Sequence, residues 1–160
     1  MRITCPDRIV KAIDLLEKSG YSAYAVGGCV RDSVMGREPN DWDMTSSATP
    51  DEIQRTFSGF RTVPTGIKHG TVTVIIDGKP IEITTMRVDG EYSDNRHPEN
   101  VSFTKRIEDD LSRRDFTVNA MAYSDKTGII DIFGGQHDLF SGRIRCVGEP
   151  AVRFEEDALR

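Results

Sequence analysis

Asp41 and Asp43, two residues apart, are the side chains of this sequence best suited to chemistry. They bracket Trp42 at the end of the stretch YAVGGCVRDSVMGREPNDWDMT, which runs from Tyr24 to Thr45. In an extended chain successive side chains point to opposite faces, so the two carboxylates share one face and Trp42 turns into the core. Neighbouring carboxylates repel each other unless a cation lies between them. Hard oxygen donors of this kind suit Mg2+ held together with water and substrate phosphates. Upstream, Gly27-Gly28 breaks the apolar run Tyr24-Ala25-Val26, and helical spacing follows from Cys29 to Met35, stopped by Gly36. A glycine turn at a helix start offers free backbone N–H groups to a phosphate. Arg31 stands one turn on, in reach of a triphosphate, with Asp32 beside it to orient it. An Asp-x-Asp alone is common on surfaces, and a Gly-Gly alone is commonly just a turn. In strand–turn–helix–strand order each supplies what the other lacks: a phosphate cradle and a metal-binding pair, the equipment of phosphoryl or nucleotidyl transfer.

Composition narrows the class. The 160 residues suffice for one domain with a real core. The net charge of −5 argues against a chain that merely coats nucleic acid, so any RNA contact must be a local patch. Cys5, Cys29 and Cys146 are scattered, without Cys-x-x-Cys. That pattern offers neither a disulfide framework nor a zinc site, and it fits the reducing cytoplasm. No apolar run approaches membrane-spanning length, no signal-peptide core begins the chain, and no protein partner is evident.

The elements that must position these residues follow from periodicity. The spacing predicts a helix from Pro6 to Lys18 with the apolar stripe Ile9, Ala12, Ile13, Leu16, ended by Gly20. Thr49, Pro50 and Glu52 form a capping box for a helix to about Phe57. Residues 62–66 read as an extended link. Thr71–Ile76 is a β-branched strand, Asp77-Gly78 a hairpin turn, and Ile81–Met86 the returning strand. Glu82 alternates with Ile81 and Ile83, so it turns either to the aspartate face, as a third carboxylate, or to solvent. Residues 88–105 read as a long polar connection, mobile until it meets ligand, with Arg96, His97, Lys105 and Arg106 available to a polyanion. A helix is expected over 108–114 and strands over 129–133 and 143–148. The final helix starts at Pro150 and is still running at Arg160, as if the chain continued. Asn119, in the apolar run 116–123, calls for a partner, protein or ligand.

The order of GGCVRD, DWDMT, TTMRVDGEYSDNRHPENVSF, RRDFTVNAMAY, IIDIFGGQHDL and RFEEDALR resembles that of bacterial tRNA nucleotidyltransferases. The sequence is similar to the catalytic head of class II CCA-adding enzymes, in the family shared with bacterial poly(A) polymerase. The likeness covers nearly all of the chain after Tyr21, and six motifs in order are far more specific than any one. The resemblance implies an α+β, DNA polymerase beta-like nucleotidyltransferase fold, a small mixed sheet flanked by helices. Residues 1–148 would form the head domain and 149–160 the start of a helical neck. It implies template-independent addition of C and A to the tRNA 3′ end from CTP and ATP by a two-metal-ion mechanism with Mg2+. It assigns Asp41 and Asp43 to catalysis and metal, and Gly27, Gly28 and Arg31 to the triphosphate. Arg113, Arg114, Asp115 and Asn119 would face the nucleotide and its ribose. Asp157 and Arg160, one helical turn apart, would read the base. A poly(A) polymerase, a partial CC- or A-adding relative and a non-catalytic nucleotide-binding module are the alternatives.

Overall fold

The computed structural model describes residues 1–92 and 100–159. Along the chain run α1 (Asp7–Lys18), β1 (Ala23–Val26), α2 (Gly28–Val34), β2 (Asp43–Ser46), α3 (Pro50–Thr56), β3 (Arg61–Gly66), β4 (Thr71–Ile76) and β5 (Lys79–Thr85). They continue as β6 (Arg87–Asp89), β7 (Val101–Phe103), α4 (Ile107–Ser112), β8 (Ala122–Ser124), β9 (Gly128–Ile130), α5 (Gly135–Phe140) and α6 (Pro150–Glu156). Seven strands form one mixed sheet in the order β3-β4-β5-β2-β1-β8-β9. Only β2 and β5 in it run parallel. The ribbon β6-β7 stands apart from it.

Period-two alternation sorts the two faces of this sheet. Ala23, Ala25, Met44, Val72, Val74, Ile81 and Ile83 enter one core cluster with Trp42 and the apolar sides of α1 and α3. The α1 residues buried there are Ile9, Ala12, Ile13 and Leu16, the stripe expected from the sequence. The opposite face carries a smaller cluster of Val26, Met86 and Ala122 under Ile107 and Leu111 of α4. Asp43 and Glu82 alternate with Met44, Ile81 and Ile83, so they fall on this second face. Helix α3 starts on the expected capping box. The Thr49 N–H donates to Glu52 Oε2 at 2.8 Å, and the Glu52 N–H donates to Thr49 Oγ1 at 3.4 Å. Asp77 and Gly78, both at positive φ, make the turn between β4 and β5.

Several elements differ from the sequence expectations. Residues 61–66 are a strand, paired with β4 across a bulge between Val63 and Gly66. Pro64 masks it in the sequence, yet β3 is an edge strand, where a missing donor is tolerated. The two ends of the polar connection pair as the β6-β7 ribbon, with Arg87 opposite Phe103 and Asp89 opposite Val101. Arg96 and His97 lie outside the described residues, as does Arg160. Strand β9 stops at Ile130 because Asp131 turns to cap α5, accepting from the N–H groups of Gly135 (2.7 Å) and Gln136 (2.9 Å). Helix α5 then starts at Gly135, behind Gly134 at φ +74°. Residues 143–148 make a single bridge, Phe116 to Cys146, rather than a strand. Helix α4 ends at Ser112, leaving Arg113 and Arg114 beyond its last turn. Helix α6 ends at Glu156 with Asp157 extended. It buries no residue fully and is held by Arg153, which donates to the carbonyls of Val147 (2.8 Å) and Ser112 (2.6 Å), and by Phe154 edge-on to Phe116. Asp157 therefore lies just past the helix rather than on it. Among the described residues no helix is long and apolar enough to cross a membrane.

Candidate active site

Strand pairing brings the acids together. Asp43 opens β2 and lies in register with Glu82 of the parallel neighbour β5. Parallel partners in register present their side chains to the same face, which decides the question the sequence left open for Glu82. Asp41 lies just ahead of β2, and Trp42 between the two aspartates is 5% exposed, anchoring the loop in the core. Asp41, Asp43 and Glu82 line one cleft of about 470 Å³ with Arg8, Asn40 and Lys79. Asp43 is open to solvent on one side and flanked by protein on the others. That partial burial pushes its pKa above the ordinary carboxylate value. The Glu82 charge adds to the shift, Arg114 opposes it, and Asp41 adds further. Among the described residues no three His, Cys, Asp or Glu side chains form a ready metal cage. The donor set is thus an open pair of carboxylates. It fits a hard divalent cation that completes its shell with water and substrate oxygens.

A second group gathers around Gly27. This residue caps α2 at φ +81°, the left-handed region that glycine enters freely. A Cβ added there would lie 3.2 Å from Arg114 Nη1. The missing side chain is what lets the guanidinium approach the turn. Arg31 Nη1 donates to Asn119 Oδ1 at 2.7 Å, and Arg31 Nε donates to Asp32 Oδ1 at 2.9 Å. Asn119 thus finds its partner in a neighbouring arginine. Cys29, on α2, donates weakly to the carbonyls of Val26 (3.3 Å) and Asp43 (3.8 Å), tying this turn to β2. Burial pushes its thiol up to about 11, so it stays neutral and structural.

Behind Arg114 lies a carboxylate that sequence reasoning missed. Asp110 is fully buried. Its Oδ1 accepts from Arg113 Nε (3.2 Å) and Nη2 (3.1 Å), and its Oδ2 accepts from Arg114 Nη2 at 3.2 Å. The Arg87 backbone N–H adds a bond to Oδ1 at 3.2 Å. Burial alone would raise the Asp110 pKa, but the two arginines and the Arg87 amide outweigh it and hold the carboxyl below its ordinary value. Burial lowers the Arg114 pKa against the pull of Asp110. Arg114 Nε is buried with no hydrogen-bond acceptor among the described residues, a donor still to be satisfied. The i, i+3 and i, i+4 spacing of Asp110 to the two arginines was the available sequence signal.

The remaining candidates are dispersed. Arg113 turns away from Gly27, toward Asp110 and, at 3.8 Å, Asp89 of the ribbon. Asp115 accepts from the N–H of Phe116 at 2.7 Å, a local turn. Asp157 accepts from the N–H of Leu159 at 2.9 Å. Gly28 keeps ordinary contact with Arg31. Asn119 is supported from behind by α5. Thr117 Oγ1 donates to the buried Asp138 at 2.7 Å, and Arg145 Nε donates to the same oxygen at 2.9 Å.

Residues 23–145 match the family model of the poly A polymerase head domain. The chain belongs to that family. It is 51% identical over 158 residues to the CCA-adding enzyme of Ligilactobacillus salivarius, covering 97% of this chain and 39% of the relative. It is 50% identical over 145 residues to that of Geobacillus thermodenitrificans, covering 91% of this chain and 35% of the relative. Among solved structures, the Bacillus stearothermophilus CCA-adding enzyme in complex with CTP superposes with a TM-score of 0.86 at 41% identity, over 98% of this chain and 37% of that one. The Thermotoga maritima CCA-adding enzyme complexed with tRNA does so with a TM-score of 0.72 at 27% identity, over 94% and 34%. The chain thus spans under two fifths of the length of these relatives. The head-domain family fixes the architecture as the α+β, DNA polymerase beta-like nucleotidyltransferase fold, with its mixed sheet flanked by helices.

Proposed function

We propose that this chain is the catalytic head of a tRNA nucleotidyltransferase, adding C and A to the tRNA 3′ end from CTP and ATP without a template. The observation that carries the reading is the juxtaposition at β2. Asp43 stands in register with Glu82 beside Asp41, and it interacts electrostatically with Arg114, which packs on the glycine turn. Residues 1–148 act as the head and 149–160 begin a neck. The setting is cytoplasmic.

Asp41 and Asp43 would hold Mg2+, which would supply Lewis-acid activation of the primer hydroxyl and charge neutralisation for the leaving pyrophosphate. The protein supplies position. Arg31, held by Asn119 and Asp32, and Arg114, held by Asp110, draw the triphosphate onto the turn at Gly27 and Gly28. Glu82 accepts a hydrogen bond from the 3′-hydroxyl and orients it for in-line attack on the α-phosphorus. Arg113 braces the same Asp110 anchor from the side of the β6-β7 ribbon. Charge placed before the reaction begins costs no reorganisation in the transition state. The relatives named above are CCA-adding enzymes, one solved with CTP and one with tRNA, which supports these substrates. The family name keeps a poly(A) product as the second reading. The test offers tRNA lacking its three terminal nucleotides with CTP, ATP and Mg2+. Addition of C, C and A followed by arrest supports the first reading, a long A ladder supports the second, and no extension rejects both.

A further inference from the structure

Helix α6 has no fully buried residue, yet one of its side chains grips the segment that carries Arg113 and Arg114. The three nitrogens of Arg153 donate to three stretches of chain. Nε reaches the Val147 carbonyl (2.8 Å), Nη2 the Ser112 carbonyl (2.6 Å) and Nη1 the Glu156 Oε2 (3.0 Å). The side chain is only 18% exposed, so these bonds are made largely out of water. Ser112 is the last residue of α4, directly ahead of Arg113 and Arg114. Val147 holds the other end of the same segment, because its N–H donates to the Asp115 carbonyl at 2.8 Å. The guanidinium thus brackets Arg113-Arg114 on both sides, from a helix that lines no part of the carboxylate cleft. Asp110 holds Arg114 by its side chain, whereas Arg153 holds the backbone on which Arg114 stands. Phe154 adds an edge-on contact to Phe116, with ring centroids 6.4 Å apart.

We propose that Arg153 is a positioning residue for nucleotide binding, coupling the docking of α6 to the placement of Arg114 at the Gly27 turn. The inference rests on the nucleotidyltransferase reading above and adds to it a link between the triphosphate and the helix at Pro150–Glu156. When α6 lifts away, the carbonyls of Ser112 and Val147 lose their shared donor. The backbone of residues 112–115 then gains freedom that a bound triphosphate has to remove again. Linkage makes the effect reciprocal: a ligand that fixes Arg114 holds α6 down by the same factor. The device requires an arginine. A lysine keeps the charge, but its single nitrogen cannot reach the acceptors that the planar guanidinium serves from three separate nitrogens.

The test compares wild type with Arg153→Ala and Arg153→Lys. The probe is inorganic tripolyphosphate with Mg2+, so that no contact between a base and α6 enters the result. Calorimetry gives its affinity, hydrogen exchange follows the amides of residues 150–156 with and without it, and thermal melting by circular dichroism checks the fold. In wild type, exchange at residues 150–156 slows several-fold when tripolyphosphate binds. Both variants bind it roughly tenfold more weakly, and their α6 amides no longer respond to it. Arg153→Lys, which keeps the charge and most of the side chain, carries the test alone where Arg153→Ala does not fold. A role in stability only would lower Tm and leave the affinity of the folded variants at the wild-type value. That result in either variant overturns the assignment, as does wild-type binding with no change in exchange at α6. A wild-type chain that does not bind tripolyphosphate removes the triphosphate site at the Gly27 turn and this assignment with it.

Discussion

Replacing Asp110 with alanine leaves two arginines and an amide without their shared anion. Asp110 is fully buried, three guanidinium bonds of 3.1–3.2 Å end on it, and the Arg87 N–H adds a fourth. Removing one member of such a buried pair costs about 3–5 kcal/mol, because the remaining charge is stranded in a poor solvent. For a chain of this size that is a fall in Tm of roughly 6–20 °C. Asp110→Asn keeps the shape and one acceptor oxygen, so it falls between wild type and Asp110→Ala. The pH dependence has a fixed sign. The folded carboxyl is held below its unfolded value of about 3.9. The charge contribution is therefore complete above that value and is lost as pH falls through the folded pKa. Urea unfolding followed by circular dichroism at pH 7 and near pH 3 reads both effects. The stability gap between wild type and Asp110→Asn is wide at pH 7 and narrows in acid. An alanine variant within about 1 kcal/mol of wild type at pH 7 would refute the reasoning, since that is the value of an exposed pair.

Gly27→Ala forces a side chain at φ +81° and against Arg114 Nη1, costing about 1–2 kcal/mol of stability and weakening ATP binding in calorimetry. Asn119→Ala removes the 2.7 Å acceptor of Arg31; the nucleotide KM rises while kcat moves little, and a change confined to kcat would move Asn119 out of this role. Thr49→Ala opens the α3 capping box and lowers the unfolding free energy by about 1 kcal/mol without altering nucleotide affinity.

Local periodicity carried much of this structure in plain view. The α1 stripe, the capping box, the β4 alternation and the Asp77-Gly78 turn all rest on contacts within a few residues, which a sequence displays directly. The pairing of β2 with β5 was not legible, because it joins residues about forty positions apart, and with it went the orientation of Glu82. Strand β3 was hidden by Pro64, whose missing donor matters little at a sheet edge. Helix α5 was hidden by a double glycine. The second of the two is required because a Cβ at Gly135 would collide with the Thr117 carbonyl. Asp110 was overlooked among the neighbouring acids of α4, since nothing in the composition says which of them turns inward.

The most direct test of the central claim is single-turnover transfer of labelled nucleotide from ATP to acceptor tRNA in the presence of Mg2+, comparing wild type with Asp43→Ala. The account predicts a loss of at least about a thousandfold, on the several-kcal/mol scale of metal-assisted charge stabilisation, with an unchanged fold by circular dichroism. Transfer by Asp43→Ala above about a thousandth of the wild-type rate would contradict it.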